Sequence, residues 1–176
     1  MLLKTKGVSP EKIIFTQTGS VSNTVTSLGQ GAVSAALLSG PHNVIMAHKG
    51  FRQIAAADEL PMSFPTSGLV IHEAKLKSDA SRIKSVMRVM LDSIAFSQRE
   101  SRWMVDYVKN RWKLEPQVAE TVYAQWRSTL TRDGKVNLKD LQAYFDLAHA
   151  AKQLPAPVQA AAVIDYTLLD QVLAGK

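Results

Sequence analysis

The chain has no cysteine. That excludes disulfides, thiolate metal sites and a cysteine nucleophile. It has no apolar stretch near the ~18 residues of a membrane span. Its opening, Met1-Leu2-Leu3-Lys4-Thr5-Lys6-Gly7, is too short and too quickly charged for a signal peptide. Taken alone, the sequence reads as soluble and untargeted. There is no basic tract, no base-reading motif and no phosphate-binding or dinucleotide fingerprint.

What is present is ordinary globular material. The 176 residues are 46% hydrophobic and 20% charged, which is enough apolar surface for a sizeable core. The net charge of +6 is spread along the chain and interleaved with acids. Such a balance can attract nucleic acid, an anionic membrane or an acidic solute. Without a base-reading motif it reads as a solvated basic surface, and no nucleic-acid partner is expected.

The first third alternates short apolar runs with helical patterns. Strands are expected at Ile13-Ile14-Phe15-Thr16-Gln17-Thr18, at Ala32-Val33-Ser34-Ala35-Ala36-Leu37-Leu38 and at Gln53-Ile54-Ala55-Ala56-Ala57. Helices are expected from Val21 to Gln30, stopped by Gly31, and from Pro41 to Lys49, stopped by Gly50. A further strand is expected over Ser67-Gly68-Leu69-Val70-Ile71-His72-Glu73. This alternation predicts an α/β fold with parallel pairings. The boundary is placed in the loop of Pro61, Ser63, Pro65 and Thr66, giving residues 1–62 and 63–176.

Beyond the boundary the spacing is helical. Ile83, Val86, Met87, Met90, Leu91 and Ile94 form one stripe. Helices follow over 102–112, from Pro116, from an N-cap at Asn137, and after Pro155 with Asp165 as a cap. Trp103, Trp112, Tyr123 and Trp126 sit on helical stripes, and the core is their expected place.

No catalytic constellation stands out, so no enzyme activity is expected. The four histidines, His42, His48, His72 and His149, lack metal-ligand spacing, and no metal or cofactor is expected. Thr131-Arg132-Asp133-Gly134-Lys135-Val136-Asn137-Leu138-Lys139-Asp140 imitates part of a calcium loop. With Gly134 at its sixth position, threonines stand where the first and third carboxylates belong, so a plain Asp-Gly turn is expected. Two expected strand-to-helix junctions, Thr18-Gly19-Ser20 and Ser39-Gly40-Pro41-His42-Asn43, are the candidate ligand sites. Helix N-termini there offer N–H groups, which Ser20, Asn23, Ser39 and the Asn43 amide would supplement. Simple helix capping explains the same residues, and both readings stay open.

Gly31-Ala32-Val33-Ser34-Ala35-Ala36-Leu37-Leu38-Ser39-Gly40-Pro41-His42 resembles a segment of the solute-binding proteins of the nitrate, sulfonate, taurine and thiamine-pyrimidine-precursor group, which serve ABC importers. Lys49-Gly50-Phe51-Arg52-Gln53-Ile54, Phe64-Pro65-Thr66-Ser67-Gly68-Leu69-Val70, Leu114-Glu115-Pro116 and Val163-Ile164-Asp165-Tyr166-Thr167-Leu168-Leu169 extend the likeness in order along most of the chain. Ser34 departs from it, standing where the family usually has Asp.

The resemblance implies a partial two-lobed periplasmic-binding-protein-like fold. Residues 1–62 would be the second-lobe α/β part, lacking its first strand. Residues 63–176 would be the return strand and helical C-terminal part of the first lobe. It implies a small solute, anionic or heteroaromatic, in an interlobe cleft, delivery to a membrane permease, and a periplasmic or extracytoplasmic location, the leader and remaining first lobe lying upstream. Ser39, Pro41 and His42 would face the cleft and Ser67 the hinge. The alternatives are a precursor-processing enzyme using His42, or a non-binding module that completes its fold by homo-oligomerising.

Overall fold

The structure, a computed structural model, describes residues 6–60, 63, 65 and 67–175. Every regular element among them is helical. The α-helices are α1 (Val21–Gly29), α2 (His42–His48), α3 (Glu73–Ser78), α4 (Ala80–Arg99), α5 (Ser101–Trp112), α6 (Pro116–Ser128), α7 (Leu138–Ala150), α8 (Ala160–Val163) and α9 (Thr167–Ala174). Single 3-10 turns cover Pro10–Lys12 and Ala57–Glu59.

The chain falls into two compact units. One comprises Met1–Leu60 and Arg102–Ser128, the other Pro61–Ser101 and Thr129–Lys176.

In the first unit the core is built on α6. Pro116 opens that helix, where a missing N–H costs nothing. Val118, Ala119, Val122 and Tyr123 then recur at helical spacing, and all four are buried. Val108 of α5 joins Val118, Ala119 and Val122, with Val44 and Ile45 of α2 packed against them. Each valine so buried contributes about 1.5–3 kcal/mol. By contrast, α1 buries no residue, so its local hydrogen bonds carry more of its stability.

In the second unit α9 packs on α4. Leu91, Leu169 and Val172 form the buried centre, with Met87, Tyr166 and Leu173 around it. Asn137 caps α7 as expected, its Oδ1 accepting the N–H of Lys139 at 2.9 Å and of Asp140 at 3.3 Å. Gln142 of α7 holds the segment leading into α8. Its Oε1 accepts the Ala160 N–H at 2.8 Å, and its Nε2 donates to the Val158 carbonyl at 3.1 Å.

The expected α/β class is not found. No strand occurs among the described residues, so neither the parallel pairings nor the periplasmic-binding-protein-like fold is formed. The runs at 13–18, 32–38, 53–56 and 67–72 are irregular chain, and residue 57 opens a 3-10 turn. A strand exists only where a neighbouring strand takes its N–H and C=O groups and buries one face. Here an apolar side chain in three of these runs lies bare: Ile14 is 93% exposed, Leu37 99% and Val70 94%. Residue 73 instead opens α3. The expected stripes also divide. On α4, Ile83 and Leu91 are buried while Val86 and Met90 are exposed. Of the aromatics expected in the core, Tyr123 is buried but Trp103, Trp112 and Trp126 are on the surface.

Candidate functional site

Five of the six candidate residues lie in the first unit, in two separate groups. The first group surrounds the start of α1. Ser20 is extended (φ −151°, ψ 157°), which turns its Oγ back to accept the Asn23 N–H at 3.1 Å. Asn23 Nδ2 donates to the Thr18 carbonyl at 2.8 Å, and Thr24 Oγ1 donates to the Ser20 carbonyl at 3.0 Å. These bonds tie residues 18–24 to one another and cap the helix. They do not reach the second group.

The second group lies where the chain enters α2. Pro41 is buried, His42 is the half-buried first residue of the helix, and Ser39 is exposed. The Ser39 carbonyl accepts the Asn43 N–H at 3.2 Å. Val44 and Ile45 seat α2 on the α5 and α6 core, and that packing carries Asn43 to Gln125 of α6. Asn43 Nδ2 donates to Gln125 Oε1 at 3.1 Å, joining residues 82 positions apart. The other amide atom, Asn43 Oδ1, is buried and has no hydrogen-bond partner among the described residues.

Gly40 lies beside both amides. A Cβ placed there would sit 3.6 Å from Gln125 Oε1 and 3.8 Å from Asn43 Oδ1. Two amide oxygens therefore face one methyl-sized spot over a glycine. A buried carbonyl oxygen without a donor costs about 1–3 kcal/mol, and an N–H group brought to it recovers that cost. The arrangement suits a hydrogen-bond donor, such as an amino group, better than an anion.

Gln125 had no local signal in the sequence, since only the packing of α2 on α6 brings it to Asn43. Ser67 belongs to the second unit and is exposed. Phe64 and Thr66 lie outside the described residues, as do Met1–Thr5 and Met62.

The calcium-like segment is a turn fastened to α9. Gly134 sits at φ +72°, a conformation that glycine adopts at no steric cost. Asp133 Oδ1 accepts the Lys135 N–H at 3.0 Å, and the Lys135 ammonium lies 2.6 Å from Asp170 Oδ1. Hydrogen bonding to Asp170 raises the Lys135 pKa. Among the described residues, no three His, Asp or Glu side chains are grouped to hold a metal.

Two carboxylates are shifted in the opposite sense. A hydrogen bond from Lys6, then one from the Ala56 N–H, lowers the pKa of Glu59. The side chain and then the N–H of Thr167 lower that of Asp165. Both are structural contacts at turn or helix starts.

Among known proteins, the chain matches no family model, no curated protein and no solved structure. No helix among the described residues is long and apolar enough to cross a membrane.

Proposed function

We propose that the chain binds a small solute without transforming it, and passes that solute to a membrane permease of the ABC-importer class in an extracytoplasmic compartment. The sequence resemblance over 31–42, 49–54 and 163–169 supports this reading. The observation that carries it is the buried, unpartnered Asn43 Oδ1, set beside Gln125 Oε1 and the bare backbone of Gly40. The reading does not rest on two sheets closing over a cleft. It places the solute's donor group against the α2–α6 wall, with Ser39 and His42 beside it.

Among the solutes the resemblance suggests, the wall favours those with an amino group, taurine or an aminopyrimidine, over nitrate. Calorimetry with these three on the full chain tests the proposal. Heat is expected with an amino-bearing solute, and Asn43→Ala should weaken that binding roughly tenfold or more, the worth of one buried hydrogen bond. Absence of heat with all three would sink the reading, as would an unchanged affinity in the variant.

A second reading, a module that assembles with copies of itself, has its own support. Ile14, Phe15, Leu37 and Val70 are each more than 70% exposed. Apolar surface of that kind marks association sites when it is contiguous. Light scattering separates the two, because a monomer at all concentrations removes the assembly reading.

A further inference from the structure

The row of residues 103, 107 and 111 on α5 is exposed, next to the row of Met104 and Val108 that is buried. Trp103 is 55% exposed and Tyr107 47% exposed, although both are large aromatic side chains. Their rings lie parallel, with centroids 5.5 Å apart and planes within 6°. The rings are therefore offset-stacked, each shielding part of one face of the other. Arg111 continues the row, 5.8 Å from the ring centroid of Trp112, which is itself 40% exposed.

On α5 the charge left without an ion-pair partner among the described residues is basic. Asp106 is paired with Lys109 at 2.9 Å. Arg102, Arg111 and Lys113 are exposed and have no carboxylate partner among the described residues. An exposed Trp–Tyr pair beside unpaired basic groups matches the chemistry of a lipid headgroup zone. Trp and Tyr settle there with an apolar body and a polar edge, and Lys and Arg are drawn to anionic lipids. A single-stranded nucleic acid also recognises aromatics beside basic residues, but it needs open ring faces on which to stack. The mutual stacking of Trp103 and Tyr107 already takes up part of one face of each ring.

From this we infer that α5 docks the protein peripherally on an anionic phospholipid surface, through Trp103 and Tyr107 with Arg102, Arg111 and Lys113. The inference is independent of solute binding. The net charge of +6 also favours such a surface.

Co-sedimentation of the full chain with vesicles tests it. The protein should pellet with equimolar phosphatidylcholine and phosphatidylglycerol and stay in solution with phosphatidylcholine alone. High salt should release it. Two exposed basic groups together contribute about thirtyfold in partitioning, so Arg102→Gln with Arg111→Gln should reduce binding by that factor. Trp103→Ala with Tyr107→Ala should reduce it too, with unchanged circular dichroism showing that the fold is kept. Absence of pelleting with anionic vesicles overturns the inference, as does pelleting that neither double variant weakens. Tighter binding to a single-stranded oligonucleotide, lost in the same variants, overturns it in favour of nucleic acid.

Discussion

The hydroxyl of Tyr166 accepts the backbone N–H of Val136 at 2.8 Å, fastening the Asp-Gly turn to the start of α9 across 30 positions of sequence. The ring of Tyr166 packs against the Leu91, Leu169 and Val172 centre, and Lys135 lies over it with its ammonium 5.3 Å from the ring centroid. One side chain thus joins the turn, the ion pair of Lys135 with Asp170, and the apolar core of the second unit.

Tyr166→Phe separates these roles. The ring stays in place, but the part-buried Val136 N–H loses its acceptor. The expected cost is about 1–2 kcal/mol, because the orphaned donor bears its desolvation penalty. Urea denaturation followed by circular dichroism measures it. Stability equal to that of the parent would show that water replaces the hydroxyl at no cost.

The shifted groups predict opposite pH limits. Asp170 holds the Lys135 pKa above its usual 10.5, so this contact stabilises fully below pH 10.5 and is lost as the pH climbs beyond it. Thr167 holds the Asp165 pKa below its usual 3.8, so that contact stabilises above pH 3.8 and is lost as the pH falls further. Asp165 is exposed and the Lys135 side chain partly so, and solvent screening keeps the effects small and weakens them with salt. Melting temperature against pH should decline less steeply on the alkaline side in Asp170→Asn and on the acid side in Asp165→Asn. A variant whose curve runs parallel to that of the parent would remove its contact from the account.

Lys113 and Lys152, just past the ends of α5 and α7, lie at φ 53° and 59°, in the left-handed region. A side chain there costs about 1–2 kcal/mol. Glycine avoids that cost but gives back about 0.5–1 kcal/mol through the freedom of the unfolded chain. Lys113→Gly and Lys152→Gly should therefore each raise stability by roughly 0.5–1 kcal/mol. The urea midpoint should rise with an unchanged slope. A lower midpoint would show that the lysine side chain makes a contact worth more than the strain.

Helix ends and helical spacing were legible because they depend on neighbours within a few residues. The caps at Ser20 and Asn137 follow from side chains that reach N–H groups two or three positions on. The Val118, Ala119 and Val122 stripe follows from the helical repeat in the same way. The repeat could not say which side of a helix meets the core. Tyr123 and Trp126 are three apart on α6, yet Tyr123 is 5% exposed and Trp126 40%.

The sequence by itself determined that this chain has no thiol chemistry and where most of its helices begin, because composition and capping act locally. Only the tertiary structure decided that the apolar runs at 13–18, 32–38 and 53–57 do not pair as strands, since a ladder needs a partner that no local pattern supplies. It also decided which polar atoms meet. Asn43 and Gln125 are adjacent because α2 and α6 bury their apolar faces together, and that burial leaves the amide oxygen of Asn43 without a donor among the described residues.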